Sequence, residues 1–171
     1  LCVSTDYLLG VGFDEKADHE TLIRNVNTVW ANYSVNTKEN NADYVLLINP
    51  ENPSGHFFTK EEVCDLAGKL LSLNKKLILD ESFVDFAESS IRFTFIDEGL
   101  LEKYSNVIVV KSISKSYGVP GIRLGVLVSS NEELIRKVQK NTSIWNINSY
   151  GEYFLQIFDK YKKTYSAACD K

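Results

Sequence analysis

Three short apolar runs, each delivered into polar residues, restrict the folds open to this chain of 171 residues. Tyr44-Val-Leu-Leu-Ile48 runs into Asn49-Pro-Glu-Asn-Pro-Ser-Gly55, Leu77-Ile-Leu79 into Asp80-Glu-Ser-Phe83, and Asn106-Val-Ile-Val-Val110 into Lys111-Ser-Ile-Ser-Lys115. Short β-branched or aliphatic runs without polar alternation are the pattern of strands buried on both faces. Between the first two, Thr59-Lys-Glu-Glu62 has the form of a capping box, and Val63, Leu66, Ala67, Leu70 and Leu73 continue one apolar helical face to Asn74. Strand, helix and strand then form a parallel unit with a right-handed crossover. A shorter crossover lies between Phe83 and Lys103. Ligands of such sheets gather outside the carboxyl ends of the strands, so the three polar ends mark the candidate site.

The rest of the chain fits around this sheet. Residues 1–13 are apolar with two glycines and suit a frayed end or the remnant of a strand. Leu22, Ile23, Val26, Val29 and Trp30 have helical spacing from Asp18 onward, and the asparagine-rich stretch from Ser34 to Asp43 is a loop. Ile122 to Val128 is a further strand. Ser130 to Glu133 opens a helix with Leu134, Ile135 and Val138 inward, and Ser149 to Glu152 opens another. On that last helix Tyr153, Phe154, Ile157, Phe158, Tyr161 and Tyr165 form an aromatic face suited to domain packing.

Lys115 is the residue the polar ends serve. Ser112, Ser114 and Ser116 surround it with hydroxyls, Gly118 and Gly121 permit close backbone approach, and Arg123 adds a planar cation suited to phosphate. The composition is that of an anion site holding a lysine.

In order, spacing and residue type, residues 44–149 resemble the class I/II aminotransferase group of fold-type I pyridoxal 5'-phosphate (PLP) enzymes, near the branches of histidinol-phosphate aminotransferase and threonine-phosphate decarboxylase. The resemblance implies that Lys115 is the Schiff-base lysine, that Asp80 pairs with the pyridine nitrogen, and that Asn52 lies beside the ring's 3'-oxygen. It implies that Ser112 and Ser114 lie near the cofactor phosphate and that Arg123 is the arginine that holds it. Trp145-Asn-Ile-Asn148 is similar to the Asn-x-Asn before the helix that leaves the large domain. Phe83 is implied to contact the cofactor, in the turn from Asp80 beneath its ring, but departs from the pattern, since the family often has tyrosine there; some decarboxylase-like relatives share the phenylalanine.

The fold implied is α/β: a three-layer α/β/α large domain of the PLP-dependent transferase type, mostly parallel and incomplete, with the strand at Ile122 antiparallel to its neighbours. Residues 1–171 are expected to be one domain, the central part of that large domain, with 149–171 beginning the helix toward a small domain. The stacking aromatic and phosphate loop expected upstream, and the carboxylate-gripping arginine expected downstream, are not seen in this sequence. This stretch alone is accordingly expected to be inactive.

The activity expected first is transamination of an amino acid or amino-phosphate, with an amino donor and a 2-oxo acid acceptor as small-molecule partners and a homodimer as the full-length assembly. Decarboxylation of a phospho-amino acid is the alternative, and a non-catalytic interaction module is the alternative of another class. Which bond breaks depends on how substrate is oriented against the cofactor ring.

Composition excludes little else. A formal charge of −4 without a basic block gives no reason to expect nucleic acid or an anionic membrane, and no stretch has the length of a membrane span or the form of a signal peptide, so a cytoplasmic enzyme is expected. Cys2, Cys64 and Cys169 lack Cys-x-x-Cys spacing, and His19 and His56 have no partner at metal-ligand spacing. Leu77-Ile-Leu-Asp-Glu81 has the form of a Walker B strand, but no window supplies the phosphate loop that would accompany it. A metal site from Asp80, Glu81, Asp85 and Glu88 conflicts with strand alternation, which sends Asp80 and Glu81 to opposite faces.

Overall fold

The computed structural model describes residues 2–4, as strand backbone, and residues 43–170. The helix expected from Asp18 and most of the loop from Ser34 to Asp43 lie outside the described residues.

Five strands form one mixed sheet in the order β1-β5-β4-β3-β2. They are β1 (Cys2–Ser4), β2 (Tyr44–Ile48), β3 (Lys76–Asp80), β4 (Val107–Ser112) and β5 (Leu124–Val128). β2, β3 and β4 are parallel, in register from Ile48 to Asp80 and from Asp80 to Val110. β5 runs antiparallel to β4, and β1 antiparallel to β5. The α/β class and the antiparallel fifth strand thus stand as the resemblance implied.

Helix α1 (Lys60–Ser72) makes the crossover from β2 to β3. Thr59 and Glu62 form the capping box: the Glu62 N–H donates to Thr59 Oγ1 at 3.3 Å, and the Thr59 N–H donates to Glu62 Oε2 at 2.8 Å. Two of the helix's unpaired donor positions are satisfied by side chains already in the sequence, which is why the boundary was legible. Val63, Leu66, Ala67 and Leu70 are buried against Leu47, Leu77, Leu79, Val107 and Val109, joined by Phe95 and Leu101. Burial of the valine, leucine and phenylalanine side chains contributes about 1.5–3 kcal/mol each. Leu73 is the helix C-cap and is only half buried.

The second crossover is mostly irregular. A 3-10 turn at Val84–Phe86 follows β3, and the short helix α2 (Glu98–Lys103) starts where Asp97 accepts the Leu100 N–H at 3.0 Å. β4 then leads into a single helical turn, α3 (Ile113–Ser116), and a 3-10 turn at Pro120–Ile122. That turn delays β5 to Leu124, two residues later than periodicity suggests. Helix α4 (Glu132–Asn141) is capped by Asn131, and its Leu134, Ile135 and Val138 are half buried. Helix α5 (Ser149–Cys169) is capped by Asn148, whose amide also donates to the Ile122 carbonyl at 3.0 Å. No helix among the described residues is long and apolar enough to cross a membrane.

Candidate active site

Asp80 ends β3, Lys115 follows β4, and both strands run the same way, so the two residues emerge at one edge of the sheet. The first residue past β3 still belongs to the ladder, with the Glu81 N–H donating to the Val110 carbonyl at 2.9 Å. After that the chain turns. Asp80 is half buried, and its Oδ1 accepts the Ser82 N–H at 2.8 Å. Short side-chain bonds of this form tie a carboxylate to its own backbone two residues on.

Lys115 is exposed and its Nζ lies 5.3 Å from the centroid of the Phe83 ring. An ammonium over an aromatic face at that range is weakly attracted by the ring's quadrupole. The structure therefore brings Phe83 and Lys115 together, although 32 residues separate them in the sequence. The residue that departs from the family pattern is the one beneath the amine.

Ser112 is the last residue of β4 and its N–H donates to Ser82 Oγ at 2.9 Å. Ser114 has a different place. It is 1% exposed, and its hydroxyl both accepts the Leu124 N–H at 2.9 Å and donates to the Leu124 carbonyl at 3.2 Å. In this arrangement Ser114 pins the lysine turn to the start of β5, with its hydroxyl turned to the protein backbone.

Arg123 immediately precedes that pinned residue and is half buried. Its φ of 53° places it in the left-handed region, which is unfavourable for a side chain with a Cβ. The Ser114 bonds and the pairing of Ser112 with Gly125 hold this short stretch beside the lysine turn. The Asn49 loop closes the opposite side of β3, where the Asn49 N–H donates to the Asp80 carbonyl at 2.9 Å. Asn49 is 2% exposed and bonds both backbone groups of Phe58, through Oδ1 at 2.8 Å and Nδ2 at 3.1 Å. Asn52, at the tip of that loop, is exposed, and Glu51 beneath it binds the Ser54 N–H and hydroxyl.

Asp80 and Glu81 do part to opposite sides. Glu81 is 1% exposed; its Oε1 accepts the Phe95 N–H at 2.7 Å and its Oε2 the Thr94 hydroxyl at 2.5 Å. Burial holds its carboxyl above the usual glutamate range, against the opposing pull of those two bonds and of Lys111. From the sequence Glu81 is a possible metal ligand or the water-activating glutamate of a Walker-type strand; its partners here are Phe95 and Thr94.

Beside the site, Asp85 and Tyr165 have partners that neither the acidic cluster nor the aromatic face of the sequence indicates. Lys111 pairs with Asp85 at 2.8 Å, and the Tyr165 hydroxyl donates to the other oxygen of Asp85 at 2.9 Å. Tyr165 stacks on Tyr117, with ring centroids 3.8 Å apart. Burial, with Asp85 nearby, pushes the Tyr117 phenol up to about 12. The aromatic face of α5 thus packs partly onto the lysine segment, beside an open apolar hollow of about 270 Å³ lined by Tyr117, Phe154, Phe158, Tyr161 and Tyr165. The aromatic spacing on α5 was the available signal, but its target could not be read from it.

The donor set suits one flat, anionic, carbonyl-bearing group. An exposed amine can condense with an aldehyde, a carboxylate can hold a proton on a ring nitrogen, and a guanidinium beside a strand end can meet a phosphate. These groups come from adjoining ends of β3, β4 and β5.

The Aminotransferase class I and II model matches residues 26–158. An L-serine phosphate decarboxylase from Campylobacter jejuni is 38% identical over 146 residues, covering 77% of this chain and 37% of that protein. The structure of a decarboxylase from Sulfurospirillum multivorans shares 30% identity at a TM-score of 0.64, covering 92% of this chain and 41% of the other. The histidinol-phosphate aminotransferase from Clostridium acetobutylicum shares 25% identity at a TM-score of 0.67, covering 85% and 40%. The chain thus spans about two fifths of the length of each of these three proteins. With a family match over most of its length and likenesses to both decarboxylases and a transaminase, the chain belongs to the class I and II aminotransferase family of pyridoxal 5'-phosphate enzymes.

Proposed function

We propose that this chain supplies the cofactor-holding part of an enzyme that decarboxylates a phosphorylated amino acid of the L-serine phosphate type. The observation that carries the proposal is the 38% identity to an L-serine phosphate decarboxylase across the segment that holds the site. The structural likeness to a second decarboxylase and the phenylalanine at Phe83 support it. The order of the two activities is thereby reversed from the sequence expectation, which put transamination first. Transamination of an amino-phosphate stands second, supported by the likeness to a histidinol-phosphate aminotransferase.

In either case the same residues hold the cofactor. Lys115 would carry it covalently through Nζ, Asp80 would keep a proton at its ring nitrogen, and Asn52 would lie beside its 3'-oxygen. Ser112 and Arg123 would hold its phosphate, while Ser114 supports them by fixing the turn to Leu124. When bound, pyridoxal 5'-phosphate supplies an electron sink for the pair left on a substrate carbon as a bond to it breaks. Lys115, exposed and freed from that linkage, is the group placed to carry a proton to or from the substrate's α-carbon. The Phe83 face limits where the amine can rest. A homodimer in solution is part of the proposal.

The test uses the full-length protein with pyridoxal 5'-phosphate and O-phospho-L-serine. Breaking the bond from the α-carbon to the carboxylate releases carbon dioxide, and a proton takes its place to leave O-phosphoethanolamine. Release of both in equal amounts, without added 2-oxo acid, is the expected result. Amino transfer that needs a 2-oxo acid and releases no carbon dioxide would establish the second reading instead, and no turnover with either would favour a non-catalytic module.

A further inference from the structure

We infer that Ser82 is a positioning residue that extends the sheet's hydrogen bonding past the end of β3 and thereby sets Asp80 against the lysine segment. The inference rests on the proposed cofactor site and deepens it.

With the Glu81 N–H on the Val110 carbonyl, regular parallel pairing would next put the Ser112 N–H on the Glu81 carbonyl. That carbonyl is turned away, because it closes the tight turn by accepting the Val84 N–H at 3.1 Å. The Ser112 N–H, partly buried in the strand end, would lack its acceptor. Ser82 Oγ takes the place of the missing carbonyl at 2.9 Å.

The same residue acts on Asp80. The Ser82 N–H donates to Asp80 Oδ1 at 2.8 Å, so one residue's backbone orients the carboxylate while its hydroxyl holds the strand that leads to Lys115. Ser82 is 8% exposed, which keeps water from easily replacing either bond. Alanine would retain the backbone bond and lose only the second one. The two halves of the site would then move independently by small distances, and small misplacements weaken binding and turnover out of proportion to their size.

The test compares wild type, Ser82→Ala and Ser82→Thr in the full-length protein. Exchange of the Ser112 amide with solvent deuterium, followed first in cofactor-free protein, should be on the order of tenfold faster in Ser82→Ala. Titration with pyridoxal 5'-phosphate should show affinity weaker by about the same factor, with an altered pH profile of the cofactor's visible absorbance. Ser82→Thr, which keeps the hydroxyl, should return both readouts toward wild type. Unchanged Ser112 exchange in Ser82→Ala would overturn the inference. Faster exchange with unchanged cofactor affinity and absorbance would also overturn it, leaving Ser82 a purely local brace. Failure of the wild-type protein to take the cofactor at Lys115 would instead overturn the proposed function, with the exchange result standing apart from it.

Discussion

Lys111 Nζ and Asp85 Oδ1 lie 2.8 Å apart, joining the end of β4 to the 3-10 turn that follows β3. The side chains are 14% and 17% exposed, and the second Asp85 oxygen accepts the Tyr165 hydroxyl from α5. One carboxylate therefore gathers three separate segments beside the lysine turn.

Removing that carboxylate leaves a largely buried ammonium without its partner. Asp85→Ala should lower stability by about 3 kcal/mol in urea unfolding, the range for breaking one side of a buried pair. Tyr165→Phe removes a single hydrogen bond and should lower it by about 1 kcal/mol. Equal losses in the two variants would mean that the ion pair adds nothing beyond the tyrosine contact.

Lys115 and Asp80 should separate cofactor attachment from chemistry. Borohydride reduction of full-length protein loaded with pyridoxal 5'-phosphate should mark the Lys115 peptide, and Lys115→Ala should abolish the mark while changing stability by less than about 0.5 kcal/mol, because the side chain is exposed. Asp80→Ala should keep a marked Lys115 but lower turnover by at least about 100-fold, as expected when a group that stabilises developing charge is removed. Labelling of a different lysine would remove Lys115 from its proposed role. An Asp80-dependent activity that needs magnesium and ignores the cofactor would point to the Walker-type alternative.

Glu81 gives a pH dependence of unusual sign for a carboxyl. Burial raises its folded value above the unfolded one, so its contribution to stability is full at acid pH and is lost as pH rises through the folded value. The loss should begin near the ordinary glutamate range, about pH 4.3, and extend upward. Glu81→Gln, which cannot ionise, should flatten this part of the stability profile in denaturant titrations at a series of pH values. A variant whose profile parallels wild type from pH 4 to 8, on the order of the range involved, would show that the Phe95 and Thr94 bonds offset the burial.

The sequence determined the parts that depend on neighbouring residues. The runs at Tyr44, Leu77 and Asn106 are apolar enough to read as strands of one packed sheet, with β2 at its edge among the described strands, and the Thr59 and Glu62 side chains close a cap across three positions. Because parallel strands present their ends at one edge, Asp80 and Lys115 could be assigned to the same edge of the sheet from spacing and motif alone.

Tertiary structure decided what each hydroxyl and carboxylate near that edge does. Ser82, Ser112 and Ser114 are chemically alike in sequence, yet one completes the ladder, one donates its backbone N–H, and one is buried against Leu124. Asp85 meets Lys111 and Tyr165 across 26 and 80 residues, separations over which no local pattern carries information. The late start of β5 and the left-handed Arg123 follow from the same cause, since a 3-10 turn intervenes before the chain regains register with β4. Local propensity chooses the elements, but a side chain's partner is chosen only when the packed sheet leaves a particular backbone group unsatisfied within its reach.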